Sequence, residues 1–268
     1  MVKIQGDTFV MGSDENDEER PPHRTKVASF EMDATEVTVD AYRLCVDGGG
    51  CSVTGLNELD HCNWGKQDRL RHPINCTDWE QADTFCKWAG KRLPREEEWE
   101  FAARGGARGS RFPWGDADPS KQLCWARSLG EDTCVVGSYP AGNTSAGLKD
   151  MAGNVWEWTA SQHCPYTSTG FDAGGCNPNR IIRGGGWTFT HPVGVRGTNR
   201  GTAAPSSRSL DLGFRCARGL LSADRIARRD RNHAAPLDLG GSESRAPDLY
   251  FAIRQAQKKR ASIPGFCA

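Results

Sequence analysis

Twelve residues, Gly147-Leu148-Lys149-Asp150-Met151-Ala152-Gly153-Asn154-Val155-Trp156-Glu157-Trp158, constrain the fold of this chain more than any other stretch. Trp156 and Trp158 alternate as a strand would, while Gly153-Asn154 just before them is turn chemistry. A tight turn therefore feeds a short strand whose indoles fill a core. Asp150 and Glu157 bracket backbone that Gly153 lets fold back on itself. Two carboxylates joined by the carbonyls of such a loop make an all-oxygen cage, which suits a hard cation such as calcium. The plainer reading is that both acids are solvated or capping.

The chain has 268 residues, with 34 basic and 34 acidic side chains. Zero net charge argues against a general nucleic-acid binder, which needs a basic excess. No apolar run reaches the length of a membrane span, and no signal-peptide core follows Met1, so the chain is expected to begin after a removed leader. Eleven cysteines are many for a reduced cytosol, and none sits in the repeated Cys-x-x-Cys spacing of a zinc site. Cys45/Cys51, Cys124/Cys134 and Cys164/Cys176 close short loops. Disulfides and a periplasmic or extracellular location are expected, in preference to the cytoplasm; buried free thiols are the alternative. The odd count leaves at least one thiol unpaired, with Cys267 as candidate. Thirty-one glycines and nine tryptophans point to a loop-rich fold whose core rests on indoles.

Along the chain, Val2 to Met11 reads as an opening hairpin with Ile4, Phe9 and Met11 inward, and Val27 to Met32 as the next strand. Ser13 to Arg20 is an acidic surface loop. Thr38 caps a helix over Val39 to Val46, ended by Gly48-Gly49-Gly50. Cys51 to Arg71 is a long loop pinned at Cys62. Thr77 and Glu80 form a capping box for a helix that Gly90 closes, with Trp79, Ala82, Cys86 and Ala89 on one face. Pro94 opens a third helix, Arg95 to Ala103, whose Glu96, Glu97 and Glu98 suit the helix dipole. Val135 to Tyr139, Arg180 to Trp187, Val193 to Arg200 and Leu212 to Ala217 complete the strand set. Residues 219–268 read as a basic extension with few bulky apolar residues, mobile or loosely docked, with one possible helix over Leu249 to Gln257.

Several ordered motifs resemble the formylglycine-generating enzyme (sulfatase-modifying factor) family. They include Gly6-Asp7-Thr8-Phe9-Val10-Met11-Gly12, Glu36-Val37-Thr38, His72-Pro73-Ile74, Trp88-Ala89-Gly90-Lys91-Arg92-Leu93-Pro94 and Glu98 to Gly105. Pro113-Trp114-Gly115, the Gly147–Trp158 stretch, Arg183-Gly184-Gly185-Gly186-Trp187 and Gly213-Phe214-Arg215-Cys216-Ala217 complete the set. The resemblance spans one domain, residues 1–218, and leaves 219–268 outside. It implies an α+β, C-type-lectin-like, loop-rich fold with two packed helices and small twisted sheets. It also implies calcium held by Asp150, the carbonyls of Gly153 and Val155, and Glu157. A second family calcium site lacks its Asn near Leu123-Cys124-Trp125, where a Cys124–Cys134 disulfide could replace the metal. The family disulfide between first helix and last strand maps onto Cys86 and Cys216.

One departure matters more than these matches. Family catalysis uses two cysteines just after the glycine–aromatic corner to hold copper(I), a soft ion that thiolates suit. Here Trp187 to Arg215 contains no cysteine, and the corresponding positions fall near Phe189 and Pro192–Gly194. A further branch comprises iron-dependent sulfoxide synthases with a His-x-x-x-His-type motif. The six histidines, His23, His61, His72, His163, His191 and His233, contain no such pair.

Three functions are expected in descending order. The first is an exported, calcium-stabilised lectin-like binding or scaffold module without catalysis. It would take a peptide, protein or small molecule in the family groove at Trp187, Phe189, His191, Arg196 and Arg200, because aromatics and Arg dominate binding hot spots. The second is an iron- or copper-dependent oxidoreductase with ligands drawn from His163, His191 or nearby carboxylates. The third is formylglycine generation itself. No catalytic residue is assigned by the sequence, and no ligand motif supports copper or iron.

Overall fold

Strand pairing at the N-terminus differs from the expected hairpin. In the computed structural model, which describes residues 1–167 and 175–220, β1 (Val2–Ile4) pairs with β4 (Phe30–Met32), while β2 (Thr8–Met11) pairs with β3 (His23–Lys26). The two strands read as one hairpin belong to different sheets. Ile4, Phe9 and Met11 nevertheless point into the core. The strand expected from Val27 begins at Phe30, because the Val27 N–H is drawn aside to Asp7 O.

Three α-helices follow, as the capping signals predict. Thr38 Oγ1 accepts the Ala41 N–H at 3.1 Å and starts α1 (Val39–Asp47). The capping box of α2 (Trp79–Trp88) is shifted by one residue from Thr77–Glu80: Asp78 Oδ1 accepts the Gln81 N–H at 2.8 Å, and Gln81 Oε1 accepts the Asp78 N–H at 3.2 Å. Arg208 pins the Asp78 carboxylate at 2.5 Å, and Thr77 is buried with its carbonyl accepting the Trp158 indole N–H, so Asp78 is the residue in place to cap. In α3 (Glu96–Ala103) Glu98 reaches back to the Arg95 N–H, and Pro94 lies just before that cap.

β5 (Trp156–Gln162) is central to a four-stranded sheet, between antiparallel β6 (Arg180–Arg183) and parallel β8 (Leu212–Gly213), with β7 (Arg200–Ala203) beyond β6. β9 (Ala217–Gly219) returns to the first sheet beside β4. Three expected strands are corrected. Val135 to Tyr139 is turns; Pro192–Val195 is a 3-10 turn, which suits a proline without an N–H; and Leu212 to Ala217 is split between two sheets. Both faces of β5 are covered: Trp156 and Trp158 share one face, Glu157 and Thr159 the other, and all four are buried. One core gathers Tyr42, Phe85, Trp158 and Phe214 between α1, α2 and β5; the other gathers Phe9, Phe30, Trp99 and Phe101 around α3.

Disulfides join Cys45–Cys51, Cys62–Cys76, Cys86–Cys216, Cys124–Cys134 and Cys164–Cys176. Cys76 is the partner that the sequence left open for Cys62. Among the described residues no helix is long and apolar enough to cross a membrane. Cys267, His233, the expected 249–257 helix and the rest of 221–268 lie outside the described residues.

Candidate functional site

The 147–158 loop is held by neighbours that its sequence does not name. The Gly153 N–H donates to Gly184 O, the Asn154 N–H to Cys124 O, and the Trp187 N–H to Asn154 O. Asp150, Gly153 and Asn154 all take positive φ, at 53°, 74° and 59°. A Cβ at Gly153 would lie 2.4 Å from Cys124 O, so only glycine fits both that dihedral and that approach.

Glu157 is fully buried and does not stand free. Arg215 grips it with Nε and Nη2, each at 2.7 Å, and the Trp99 indole N–H donates at 2.8 Å. Arg215 Nη2 also donates to the carbonyls of Lys149 and Asp150. Asp150 Oδ2 accepts the Gly137 N–H at 2.5 Å, and its carboxyl is pushed up by burial. Beside it stands Glu36, which the sequence reading did not single out. Both Glu36 oxygens are buried with no hydrogen-bond donor. Burial, and then the Asp150 charge, raise its carboxyl well above the usual range.

These residues fit a hard cation in chemistry. Asp150 and Glu36 supply carboxylate oxygens, and no turn, loop or side-chain hydrogen bond reaches the carbonyls of Gly153 or Val155 among the described residues. In the same residues no three His, Cys, Asp or Glu side chains converge as a metal-binding group, so an ion here would rely on carbonyls as much as on carboxylates. Glu157, already held by Arg215, has lone pairs left to contribute.

The five residues expected to line a groove do not share one open surface. Trp187 is buried, its indole N–H aimed at Leu210 O at 3.3 Å. Arg196 is buried against Glu19, with Nη2 to Oε1 at 2.7 Å. Arg200 is buried against Glu96 at 2.6 Å, and Arg183 lies between Glu96 and Glu100. Burial pushes the Glu96 carboxyl up, but Arg183 and Arg200 outweigh it and hold that carboxyl below the usual range. These arginines are internal struts. Phe189 is half-buried and His191 exposed. Segment 125–127 runs beside them, through Ala126 N–H to Phe189 O and Arg127 N–H to Trp187 O. Half-buried Trp114, Trp125 and Phe189 thus edge a small core of Phe112, Leu123, Ala152 and Val195.

At the corner itself, Phe189 packs over Gly194. A Cβ at Gly194 would lie 2.0 Å from Phe189 Cδ1, and the ring meets Trp156 edge-on at 5.5 Å between centroids. Gly194→Ala is expected to cost about 1–3 kcal/mol by overpacking. Adding Phe189→Ala should cancel most of that increment in a urea-unfolding double-mutant cycle. Simple additivity would show that the ring does not occupy this space.

The histidines expected as ligands are apart. His163 Nε2 faces Glu18 at 3.0 Å and its Nδ1 faces Asn177, whereas His191 Nδ1 accepts the Val193 N–H at 3.4 Å. The sequence missed a polar cluster in which His61 Nδ1 meets Asp132 Oδ1 at 2.7 Å and His72 Nδ1 meets Thr133 Oγ1 at 2.9 Å. Its members are about 60–70 positions apart, a separation that no local pattern reveals. Burial, and then Arg69, push His72 down to about 4. Its neutral form is favoured by folding, so this contribution is complete above the ordinary histidine value of about 6.5 and is lost as pH falls towards 4. His72→Asn should flatten the fall in unfolding free energy across that window by about 1–2 kcal/mol, discounting for partial exposure. Parallel pH curves for the two proteins would refute this.

The profile of the sulfatase-modifying factor enzyme 1-like domain matches residues 1–220. The chain is 40% identical over 169 residues, 58% of its length and 53% of the relative's, to a Bos taurus protein named inactive C-alpha-formylglycine-generating enzyme 2. It is 31% identical over 280 residues, 87% of its length and 60% of the relative's, to hercynine oxygenase of Mycolicibacterium thermoresistibile. The chain thus spans only about half to three fifths of these relatives. The structure of PvdO from Pseudomonas aeruginosa superimposes with a TM-score of 0.67 at 26% identity, covering 81% of this chain and 93% of that one. A matching profile over 1–220 and a shared loop-rich α+β fold lead to one conclusion: the chain belongs to the formylglycine-generating enzyme family.

Proposed function

We propose that this chain is an exported, calcium-stabilised recognition or scaffold domain of its family, and that it does not generate formylglycine. The observation that carries this reading is the Phe189–Gly194 contact. Where the family places its copper-holding thiols, this chain has an aromatic ring packed against a bare backbone, with no sulfur from Trp187 to Arg215. Copper(I) needs soft donors, and an aromatic ring with a glycine supplies none. The relative named as inactive supports the same direction.

The binding face is Phe189 and His191 with Trp125 and Trp114 beside them, half-exposed aromatics suited to a peptide or protein ligand. Five disulfides support an oxidising compartment. Metal analysis of the purified chain, with a Cys-x-Pro-x-Arg peptide offered under oxygen and copper(I), tests the reading. The expected result is calcium without stoichiometric copper or iron, and no aldehyde. Aldehyde formation would overturn it.

A second reading, a metal-dependent oxidoreductase of altered chemistry, is supported by the identity with hercynine oxygenase over most of the chain. Stoichiometric iron in the same metal analysis selects it over the first.

A further inference from the structure

A cavity of about 350 Å³ lies between β3, the first turn of α3 and the end of β5, and it shares no residue with the aromatic face at Phe189 and His191. Its size is that of a small-molecule site. The carboxylates around it are already matched: Arg200 holds Glu96 at 2.6 Å, and Arg95 Nε holds Glu97 Oε1 at 2.7 Å. What is left over is a set of acceptors. His23 Nδ1 lies 2.9 Å from Pro21 O, and a carbonyl can only accept, so Nδ1 carries the hydrogen and Nε2 of the neutral ring is an acceptor. Gln162 Nε2 donates to Asn177 O at 2.7 Å, which leaves its Oε1. Glu97 Oε2 is the third, and none of the three has a hydrogen-bond partner among the described residues. Burial pushes the Glu97 carboxyl up, as it does for a carboxylate short of water and of donors. Ser161 Oγ accepts the Glu96 N–H at 2.9 Å, so its own O–H remains to donate. Met11, Pro165 and the Tyr166 ring add apolar wall. That ring is fixed, its O–H on Glu96 at 3.1 Å and the Arg200 guanidinium 4.1 Å from its centroid.

We infer that this cavity binds a neutral polyhydroxylated molecule, a pyranose-sized sugar or cyclic polyol, whose hydroxyls donate to His23 Nε2, Gln162 Oε1 and Glu97 Oε2. A hydroxyl donates one hydrogen and accepts others, so the Ser161 O–H and the ammonium of exposed Lys26 meet the lone pairs of the same ligand. Its C–H faces suit Met11, Pro165 and Tyr166. A guanidinium or ammonium ligand would also donate, but each carboxylate here already holds an arginine and Lys26 repels a further cation. A phosphate would bring acceptors to a site that is short of donors. None of these contacts involves the 147–158 loop, so binding is independent of calcium there.

The test titrates the full chain at pH 8 with the methyl α-pyranosides of glucose, mannose and galactose and with myo-inositol, read by saturation-transfer NMR and by calorimetry. At least one should bind with a Kd on the order of 1 mM, the value expected of a ligand with about a dozen non-hydrogen atoms. The Kd should be the same with and without chelator. His23→Phe keeps a ring against Tyr166 and removes the acceptor, whereas Glu97→Gln keeps the shape and turns one acceptor oxygen into a donor. Each should weaken the Kd by roughly fivefold. His23→Phe serves alone should Glu97→Gln not fold. A sugar bound equally by both variants lies elsewhere and overturns the site, as does binding that chelator abolishes. No binding of any of the four, or preferential binding of arginine amide or inorganic phosphate, overturns the polyol assignment.

Discussion

Arg215→Met should destabilise the folded chain by about 3–5 kcal/mol, because it leaves the Glu157 carboxylate buried without its counter-charge. The guanidinium is fully buried and adds several carbonyl hydrogen bonds to its one ion pair. It donates to both oxygens of Glu157 at 2.7 Å and to the carbonyls of Asp33, Lys149 and Asp150 at 2.9–3.2 Å. One side chain thus joins the end of the first sheet, the candidate calcium loop and β5. Arg215→Lys keeps the charge without the planar fork and should lie between the two. Glu157→Gln combined with Arg215→Met removes the orphaned charge and should recover part of the loss. Urea unfolding of the four proteins measures each value. A cost below about 1 kcal/mol for Arg215→Met would show that Glu157 is solvated or otherwise compensated.

That central role was only half legible beforehand. Asp150 and Glu157 stand out because they bracket a turn, whereas Arg215 is only one member of the family-like motif Gly213-Phe214-Arg215-Cys216-Ala217. Their pairing across 58 residues is a tertiary fact that neither turn chemistry nor periodicity encodes. Glu36 stands out in the sequence only as part of Glu36-Val37-Thr38. Its importance comes from what it lacks, a donor, and a missing partner has no sequence signature. The helices were legible because caps are local: Thr38 and Gly48–Gly49 bound α1 where expected, and even the one-residue shift at α2 is a contest between two overlapping capping patterns, decided by Arg208. The strands were less so. Short segments such as Leu212 to Ala217 serve two sheets at once, and a period of two cannot report which neighbour a strand will choose. The groove expected at Arg196 and Arg200 rests on the weight of arginine in binding hot spots. Their burial follows from Glu19 and Glu96, acids that looked like a solvated loop and a helix dipole.

Replacing both Cys86 and Cys216 by Ala should cost about 5 kcal/mol, the largest loss expected from any one of the five bridges. Removing Cys45–Cys51 should cost about 2 kcal/mol. The difference lies in the unfolded chain. The first bridge closes a separation of 130 residues and the second closes 6. Loop entropy grows with the logarithm of that length, so the two bridges nested inside the long loop, Cys124–Cys134 and Cys164–Cys176, shorten its effective length with little effect on the cost. Burial adds to the same direction. Cys86 and Cys216 are both completely inaccessible, in the core cluster that holds Phe85 and Phe214, so the double variant also loses apolar contact there. Cys51 is only partly buried, and its loop can relax. Denaturant unfolding under non-reducing conditions ranks the two. Equal losses would mean that native-state strain or residual structure, and not loop length, sets the contribution of these bridges. The expected ranking, in contrast, makes Cys86–Cys216 the covalent tie between α2 and the segment leading into β9, next to the Arg215 that grips Glu157. Its loss should therefore also loosen the 150–157 loop, whereas loss of Cys45–Cys51 should leave that loop unchanged.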